Sequence, residues 1–345
     1  MIPLHALKYE ECIELLVKEG EKPFRAKQIF QWIYGRKETD WEKMSDLGVS
    51  LRSKLKNLFI LSGLKEKKLQ RSQDEETIKY LWELSDGKLV ESVLIMSHDR
   101  RTVCVSSQVG CPARCAFCAS GKEGLKRNLT AEEIFEQVYE IDRGLSAKGE
   151  RVSHVVFMGM GEPFENYDHV LKAIRLLTDP SRLNISQRRI TVSTVGVVEG
   201  IKRFTEEDLQ VNLVLSLHAP NQHIRKKIIP YARKYAIEDI LDAMQAYAEQ
   251  TRRDITYEYT IMEGINDAPE HAHELARLIK GHRCAVNLIP YNPVEGLKLK
   301  RPEKNVIEEF RNILSGYDIV TTWRYTKGKD IAAACGQLAL QENAG

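Results

Sequence analysis

The spacing of apolar residues changes along the chain, and each change predicts a different kind of structure. Over residues 8–60 apolar positions recur at helical spacing, as in YEECIELLVKEG and PFRAKQIFQWIY. This spacing predicts a small helical domain. Over residues 66–98 apolar and polar positions alternate, and an Asp86-Gly87 pair divides the segment TIKYLWELSDGKLVESVLI. Alternation interrupted by Asp-Gly predicts a β-hairpin.

From residue 101 onward, short β-rich runs alternate with helical runs in six successive β–α units. Such alternation predicts an α/β fold with a parallel sheet and helices outside it. Six units are fewer than the eight of a closed barrel, so we predict a partial (βα)6 barrel rather than a doubly wound sheet. The predicted domains are 1–62, helical and accessory; 63–100, a β-hairpin extension; and 101–345, the core with a C-terminal segment.

Most of the candidate chemical residues follow directly after predicted strands. GMGEP, STVG, SLHAPN and YNP follow the second, third, fourth and sixth strands of the core. In such folds the site lies at the carboxyl ends of the strands, so we expect these segments to meet there. Thr130 and Glu133 have capping-box spacing, which predicts the start of the helix after the first strand and its loop.

Composition and charge narrow the class of protein. The 345-residue chain has no apolar run of about 18 residues and no N-terminal signal pattern, so we expect no membrane association. Seven cysteines without an export signal favour a cytoplasmic protein with metal-binding or catalytic thiols. The net charge of +2 argues against a strongly basic nucleic-acid binder. Basic clusters containing Lys67, Lys68, Arg225 and Lys226 are either solvated faces or surfaces for an anionic polymer.

Three cysteines stand close together in GCPARCAFCASG, at C-x3-C-x2-C spacing: Cys111, Cys115 and Cys118. A structural zinc site closes with four ligands, whereas three thiolates leave one coordination position open. The alternatives are an open iron–sulfur cluster, zinc with a further ligand such as His98, or buried structural thiols. The spacing is the signature of the radical S-adenosylmethionine (SAM) superfamily, where an open iron chelates the methionine end of SAM. Glu162 either holds the SAM ammonium or is solvated at a helix start.

The ordered motifs together resemble the radical SAM RNA adenine methyltransferases, the RlmN and Cfr family, over essentially the whole chain. They include PFRAKQIFQWIY, VCVSSQVGCPARCAFCASG, FMGMGEPFEN, RRITVSTVGVV, NLIPYNP and DIAAACGQL. The resemblance implies a [4Fe-4S] cluster on Cys111, Cys115 and Cys118. It also implies contacts to SAM from Gly161, Glu162, Ser193, Ser216, Leu217, His218 and Asn292.

The resemblance further implies a reaction that uses SAM twice per turnover. Carbon C2 of adenine is electron-poor and cannot displace a methyl group from SAM, so one SAM first methylates Cys335. A second SAM gives a 5′-deoxyadenosyl radical that takes a hydrogen from this methyl group, and the resulting radical adds to adenine. Glu91 accepts the ring proton, and Cys104 attacks the sulfur of Cys335, forming a disulfide that an external reductant reopens. From the residues alone, the favoured interpretation of Cys104 and Cys335 is that they are buried apolar thiols, as we expect for Cys12 and Cys284.

The implied substrates are RNA molecules. RlmN-type enzymes methylate C2 of one adenosine in the peptidyl-transferase centre of 23S rRNA, and some members also modify the adenosine beside the tRNA anticodon. Cfr-type relatives methylate C8 of the same ribosomal adenosine and confer antibiotic resistance. Pro163 after Glu162 favours the C2 type. An alternative function of a different class is that of a non-catalytic, metal-stabilised RNA-binding protein, which would not need Cys104, Cys335 or Glu91. We expect a monomer that depends on an external electron donor.

Overall fold

Three short helices form the N-terminal part of the chain, as the apolar spacing predicts. The computed structural model describes residues 1–122, 124–323 and 327–338. The helices are α1 (Tyr9–Lys18), α2 (Phe24–Phe30) and α3 (Val49–Leu58), with a π-helical turn at Gln31–Gly35 and a 3-10 turn at Trp41–Lys43. Cys12 is fully buried in this part of the core, in agreement with its expected packing role. The predicted end of the core domain, residue 345, lies outside the described residues.

One ten-stranded sheet runs through the rest of the chain, and its strands lie side by side in chain order. They are β1 (Lys65–Arg71), β2 (Thr77–Glu83), β3 (Leu89–Ser97), β4 (Arg100–Cys104), β5 (His154–Phe157), β6 (Ile190–Thr194), β7 (Asn212–Ser216), β8 (Ile255–Ile261), β9 (Cys284–Pro290) and β10 (Val320–Trp323). Strands β1 to β4 are antiparallel, and β4 to β10 are parallel. The predicted hairpin is therefore β2–β3, and it continues directly into the barrel sheet.

Helices follow the first six parallel strands, which confirms the predicted β–α rhythm. They are α4 (Ala131–Ser146), α5 (Tyr167–Thr178), α6 (Val198–Glu206), α7 (Gln222–Ile228), α8 (Ile237–Thr251), α9 (Pro269–Leu278) and α10 (Lys304–Ser315). The capping box at the start of α4 forms as predicted: Glu133 N donates to Thr130 Oγ1 at 3.2 Å, and Thr130 N to Glu133 Oε2 at 2.9 Å. Strand β10 adds a seventh parallel strand to the six that the sequence predicts.

The connection between the N-terminal helices and the hairpin is fastened to α4 by a buried carboxylate. Glu136 Oε2 accepts hydrogen bonds from Gly63 N at 2.7 Å and Leu64 N at 3.2 Å. Burial raises the pKa of Glu136 to about 8, because the charged form loses its hydration. The helical part and the barrel thus share a titratable contact.

The described part of the C-terminal segment, residues 327–338, crosses from the hairpin to the cysteine loop, and we call it the C-terminal strap. At the hairpin end, Lys327 Nζ donates to Met96 O at 2.9 Å, and Asp330 accepts from Gln73 N at 2.8 Å. At the other end, Ala119 N donates to Gly336 O at 2.8 Å. The strap therefore lies across the carboxyl ends of the parallel strands. Among the described residues, no helix has both the length and the apolar character needed to cross a bilayer.

Candidate active site

The loop after β4 gathers the three closely spaced cysteines at one cavity of about 140 Å³. Its backbone is fixed by Gly110, whose φ is +77° and where a Cβ would lie 2.0 Å from Gly124 O. Burial raises the pKa of Cys111 to about 12 and also raises the pKa of Cys118. Solvent therefore does little to stabilise thiolates in this loop, and a bound metal centre would do so.

This first cavity, which we call the cofactor cavity, receives side chains from the ends of several parallel strands. Six of the seven residues expected to contact SAM line it: Gly161, Glu162, Ser193, Ser216, His218 and Asn292. Leu217 does not line it, because its side chain is fully buried. Asn292 Oδ1 is buried and has no hydrogen-bond partner in the described part of the chain, so the cavity offers an acceptor to a bound group.

The side chains that line the cofactor cavity can be compared with the ligands that an iron–sulfur cluster and SAM require. Within residues 1–122, 124–323 and 327–338, no three His, Cys, Asp or Glu side chains are grouped tightly enough for a single metal ion. A cluster that takes one thiolate on each of three irons does not require such a grouping. The lining includes three thiols, two carboxylates, several hydroxyls and the unpaired amide oxygen of Asn292, which together fit an iron–sulfur cluster with a polar amino-acid ligand beside it.

Glu162 is buried, so the expectation that it is solvated at a helix start is wrong, although it does begin a 3-10 turn at Pro163–Asn166. Its two carboxylate oxygens accept from Phe164 N at 3.0 Å and from Val195 N at 2.7 Å. Burial raises the pKa of Glu162 to about 7, and these amide donors oppose that rise. The carboxylate is thus held rigidly between the ends of β5 and β6, at the cavity wall.

His218 and two serines complete this wall. His218 has a positive φ of 55° and is buried, and its Nδ1 accepts from Thr260 N at 2.9 Å. Burial lowers the pKa of His218 to about 3, so the ring is neutral and its hydrogen is on Nε2. The hydroxyls of Ser193 and Ser216 lie 3.2 Å apart across β6 and β7. All three side chains are preorganised polar contacts.

A second cavity, of about 280 Å³, adjoins the first and has mainly apolar walls. We call it the substrate cavity. Val93 and Cys104 are register partners in β3 and β4, and Cys104 is also paired with Val156 of β5. Directly opposed residues project from the same face of a sheet, and these three line the cavity together.

Cys335 lies where the two cavities meet, because it lines both of them. It is exposed, so the alternative that Cys335 is a buried apolar thiol is wrong, whereas Cys104 is 9% exposed. Asn292 Nδ2 donates to Cys335 O at 3.2 Å and fixes the strap at this point. All seven cysteines are free thiols in the structure. Cys284 begins β9 and packs against the core, as expected for a thiol without a chemical role.

Glu91 does not line the substrate cavity, although it lies on the same face of β3 as Val93. It is 2% exposed, and its Oε1 lies 3.3 Å from Nζ of Lys79 on β2. Lys79 also donates to Ala332 O of the strap at 3.3 Å. The sequence did not single out Lys79, because a lysine in an alternating strand is typical of a solvated face.

Arg225 corrects one of the expectations from charge. It was predicted as a basic surface residue together with Lys226, but its side chain is fully buried, while Lys226 is exposed. Its guanidinium donates to the carbonyl oxygens of Val195, Ser216 and Leu217. The arginine therefore cannot contact RNA.

Gln108 is a further site residue that the motifs did not indicate. Its Oε1 accepts from Glu162 N at 2.8 Å, and its Nε2 donates to Asn128 Oδ1 at 2.8 Å. It thereby supports the GMGEP loop from the cysteine-loop side. Its place within VSSQVGC, next to the cysteines, is the sequence signal that could have drawn attention to it.

Comparison with known protein families gives one match to the core of the chain and one to its N-terminal helical part. The sequence model of the Radical SAM superfamily matches residues 105–278, and that of the ribosomal RNA large subunit methyltransferase N-terminal domain matches residues 2–61. A relative from Protochlamydia amoebophila, described as "Probable dual-specificity RNA methyltransferase RlmN 2", is 64% identical over 98% of this chain and 94% of its own. A relative from Symbiobacterium thermophilum, described as "Probable dual-specificity RNA methyltransferase RlmN", is 48% identical over 97% and 91%. A crystal structure of a radical SAM methyltransferase from Sphaerobacter thermophilus superposes with a TM-score of 0.95, at 42% identity, over 98% and 99% of the two chains.

Proposed function

The chain belongs to the radical SAM RNA methyltransferases of the RlmN type, and we propose that it methylates C2 of a specific adenosine in 23S rRNA. The superfamily binds SAM and a [4Fe-4S] cluster, and the enzyme class is RNA methyltransferase. The observation that carries the proposal is the position of Cys335 at the junction of the cofactor cavity and the substrate cavity. A methyl carrier has to face the methyl donor and the acceptor in turn.

Three thiols would hold the cluster, and the polar wall of the cofactor cavity would hold SAM. We assign the cluster to Cys111, Cys115 and Cys118. Bound there, the cluster and SAM would supply a radical able to take a hydrogen atom from a methyl group carried by the strap cysteine. The buried carboxylate of Glu162 is placed to accept a hydrogen bond from the SAM ammonium, and Asn292 Oδ1 is free to accept another.

Cys335 would first take a methyl group from one SAM molecule by displacement at carbon, with S-adenosylhomocysteine as the leaving group, so that two SAM molecules would be consumed per turnover. Its S-methylene radical then forms a bond to C2 of the adenine in the substrate cavity. The apolar walls around Val93 and Val156 exclude water from this reactive group.

Cys104 and Glu91 complete the proposed turnover. Glu91 accepts the ring proton, and Lys79 orients its carboxylate from 3.3 Å away. The adduct radical would first return one electron to the oxidised cluster. The thiolate of Cys104 then attacks Cys335 Sγ, so that an S–S bond forms, the C–S bond to the product breaks, and the released methylene carbon takes up a proton to become the methyl group. Both cysteines line the substrate cavity, which supports this pairing. An external reductant has to reopen the disulfide.

The proposal extends to the RNA-contacting surface, a second substrate, the cellular location and the oligomeric state. The helical segment 1–62 and exposed lysines such as Lys226 would contact RNA, and tRNA is a second proposed substrate, at the adenosine beside the anticodon. An enzyme that modifies these RNAs works in the cytoplasm, and we propose that it acts as a monomer with an external electron donor.

The test is an RNA methylation assay with the cluster reconstituted in the absence of oxygen. The protein is incubated with SAM, a reductant and 23S rRNA, and the digested RNA is analysed by mass spectrometry. We expect 2-methyladenosine together with 5′-deoxyadenosine. An 8-methyl product would instead show the Cfr-type activity. No methylated RNA and no SAM cleavage from an iron-loaded protein would favour the non-catalytic RNA-binding alternative.

A further inference from the structure

The largest fully buried side chain of the described residues carries a positive charge. Arg225, on α7, is 0% exposed, whereas its neighbours Lys226 and Lys227 are exposed. A charge removed from water is costly unless an opposite charge or full hydrogen bonding compensates it. The reason for this burial must therefore lie in what surrounds the guanidinium.

The hydrogen-bond partners of Arg225 hold its position but do not neutralise it. Its Nε donates to Leu217 O at 3.3 Å, and its Nη2 donates to the carbonyl oxygens of Val195 and Ser216. These carbonyls come from the ends of β6 and β7 and carry no net charge. The remaining nitrogen, Nη1, is buried and has no hydrogen-bond partner in the described part of the chain.

The anions that act on Arg225 belong to the cofactor cavity. Burial lowers the pKa of Arg225 to about 10, and Cys115 and Glu162 oppose this by raising it. The cation is thus electrostatically coupled to the cysteine loop.

The distance between Arg225 and the cysteine loop is fixed by packing. Ala116 N, within the loop, donates to Ile228 O at the end of α7 at 2.8 Å. Ile224 and Ile228 of the same helix share a small apolar cluster with Phe117 and pack against the three cysteines. A charge anchored on three carbonyls, on a helix bonded to the loop, cannot move away when the charge of the site changes.

We propose that Arg225 is the buried counter-charge of the iron–sulfur cluster and raises its reduction potential. The inference rests on the proposed binding of the cluster to the three cysteines. On reduction the cluster accepts one electron from an external one-electron donor and becomes more negative by one charge. A fixed cation stabilises the more negative state more strongly, and net charge and hydrogen bonding near a cluster set its potential.

The test compares variants of the full-length protein that separate charge from hydrogen bonding. Arg225→Gln keeps N–H donors but loses the charge, and Arg225→Lys keeps the charge but loses the planar guanidinium. Lys226→Gln removes a charge from the exposed side of the same helix and is the matched control. The measurement is an anaerobic potentiometric titration with dithionite, followed by electron paramagnetic resonance of the reduced cluster, without SAM or RNA.

We expect Arg225→Gln to lower the potential, so that the ratio of reduced to oxidised cluster at a fixed potential falls at least tenfold, or about 59 mV for one electron. Arg225→Lys should retain most of the wild-type potential, and Lys226→Gln all of it, because exposed charges are screened. An unchanged potential in an iron-loaded Arg225→Gln protein would overturn the inference.

Loss of folding or of iron is informative as well. If Arg225→Gln does not hold iron, a role for the positive charge requires that Arg225→Lys still holds it. If neither variant holds iron, Arg225 has a purely structural role and the inference is overturned. Absence of iron from the reconstituted wild-type protein would instead refute the proposed function itself. An intact potential shift with no RNA methylation would leave this inference standing and question only the substrate.

Discussion

The buried pair of Lys79 and Glu91 allows a quantitative prediction. Their side chains are 5% and 2% exposed, and Nζ lies 3.3 Å from Oε1. At an effective dielectric constant of about 20, two unit charges at this distance attract each other by about 5 kcal/mol. Lys79→Met removes this attraction but leaves Glu91 desolvated without its lysine. We therefore expect a loss of about 3–5 kcal/mol in the free energy of unfolding.

The assay is urea denaturation of the apoprotein, followed by circular dichroism, within a double-mutant cycle. The double variant Lys79→Met/Glu91→Gln buries no charge at this place, so we expect it to be more stable than Lys79→Met alone, with a coupling of about 2–3 kcal/mol. Lys304→Met is the control, since Lys304 pairs with Glu308 at 79% and 44% exposure and should cost less than about 1 kcal/mol. Additive effects of the two single substitutions would refute the electrostatic reasoning.

Four other predictions concern the carrier, the resolving thiol, one glycine and one buried carboxylate. Cys335→Ala should keep the cluster and SAM cleavage but transfer no methyl group, measured by mass spectrometry of the RNA; normal product would contradict the assignment. Cys104→Ala should accumulate a covalent protein–RNA species, and denaturing gels without a slow-migrating band would argue against its resolving role. At Gly161 φ is +112° and a Cβ would lie 2.6 Å from a serine hydroxyl, so Gly161→Ala should cost about 1–3 kcal/mol and weaken SAM binding. Gly149→Ala, at φ +72° with open space around it, should be milder in a thermal melt and leave SAM binding unchanged; equal effects would refute the steric argument. The pKa of Glu136 is raised from 4.5 to about 8 in the folded protein, so its stabilising contribution is present below pH 4.5 and lost as pH rises to about 8. The stability of the wild type relative to Glu136→Gln should therefore fall over this range, and parallel pH curves would contradict it.

The local periodicity of apolar residues predicted where helices and strands lie better than it predicted which strands pair with each other. The hairpin turn at Asp86-Gly87 and the helix start at Thr130 are each determined by a few neighbouring residues, and both were predicted correctly. The parallel pairing of β4 with β5 joins residues such as Thr102 and His154, which meet only in the folded chain. Strand β10 is short and partly exposed, and the apolar pattern gave it no clear signal.

For the site as well, residues identified by local motifs were predicted, whereas residues whose role depends on contacts formed only in the folded chain were not. Motif spacing pointed to most residues that line the cofactor cavity, because they directly follow strands. It failed for Arg225, which looks like one more cation in IRKKIIPYARK. Its guanidinium is held by the carbonyl of Val195, 30 residues earlier, and by that of Ser216 at the end of β7, and no local pattern indicates either contact. It also failed for Lys79, because residues 77–82 are buried on both faces of β2 and the C-terminal strap supplies a lysine contact that no local pattern indicates.

The chain-order arrangement of the sheet has a consequence for protein synthesis. Each strand pairs with the strand translated just before it, so the sheet can be assembled progressively as the chain leaves the ribosome. The strap is translated after all ten strands and bonds to residues of the hairpin region 231 to 257 positions earlier. A polypeptide released before residue 327 would thus have all ten strands but no Cys335. Such prematurely terminated copies would lack the thiol that we propose as the methyl carrier, and we expect them to transfer no methyl group.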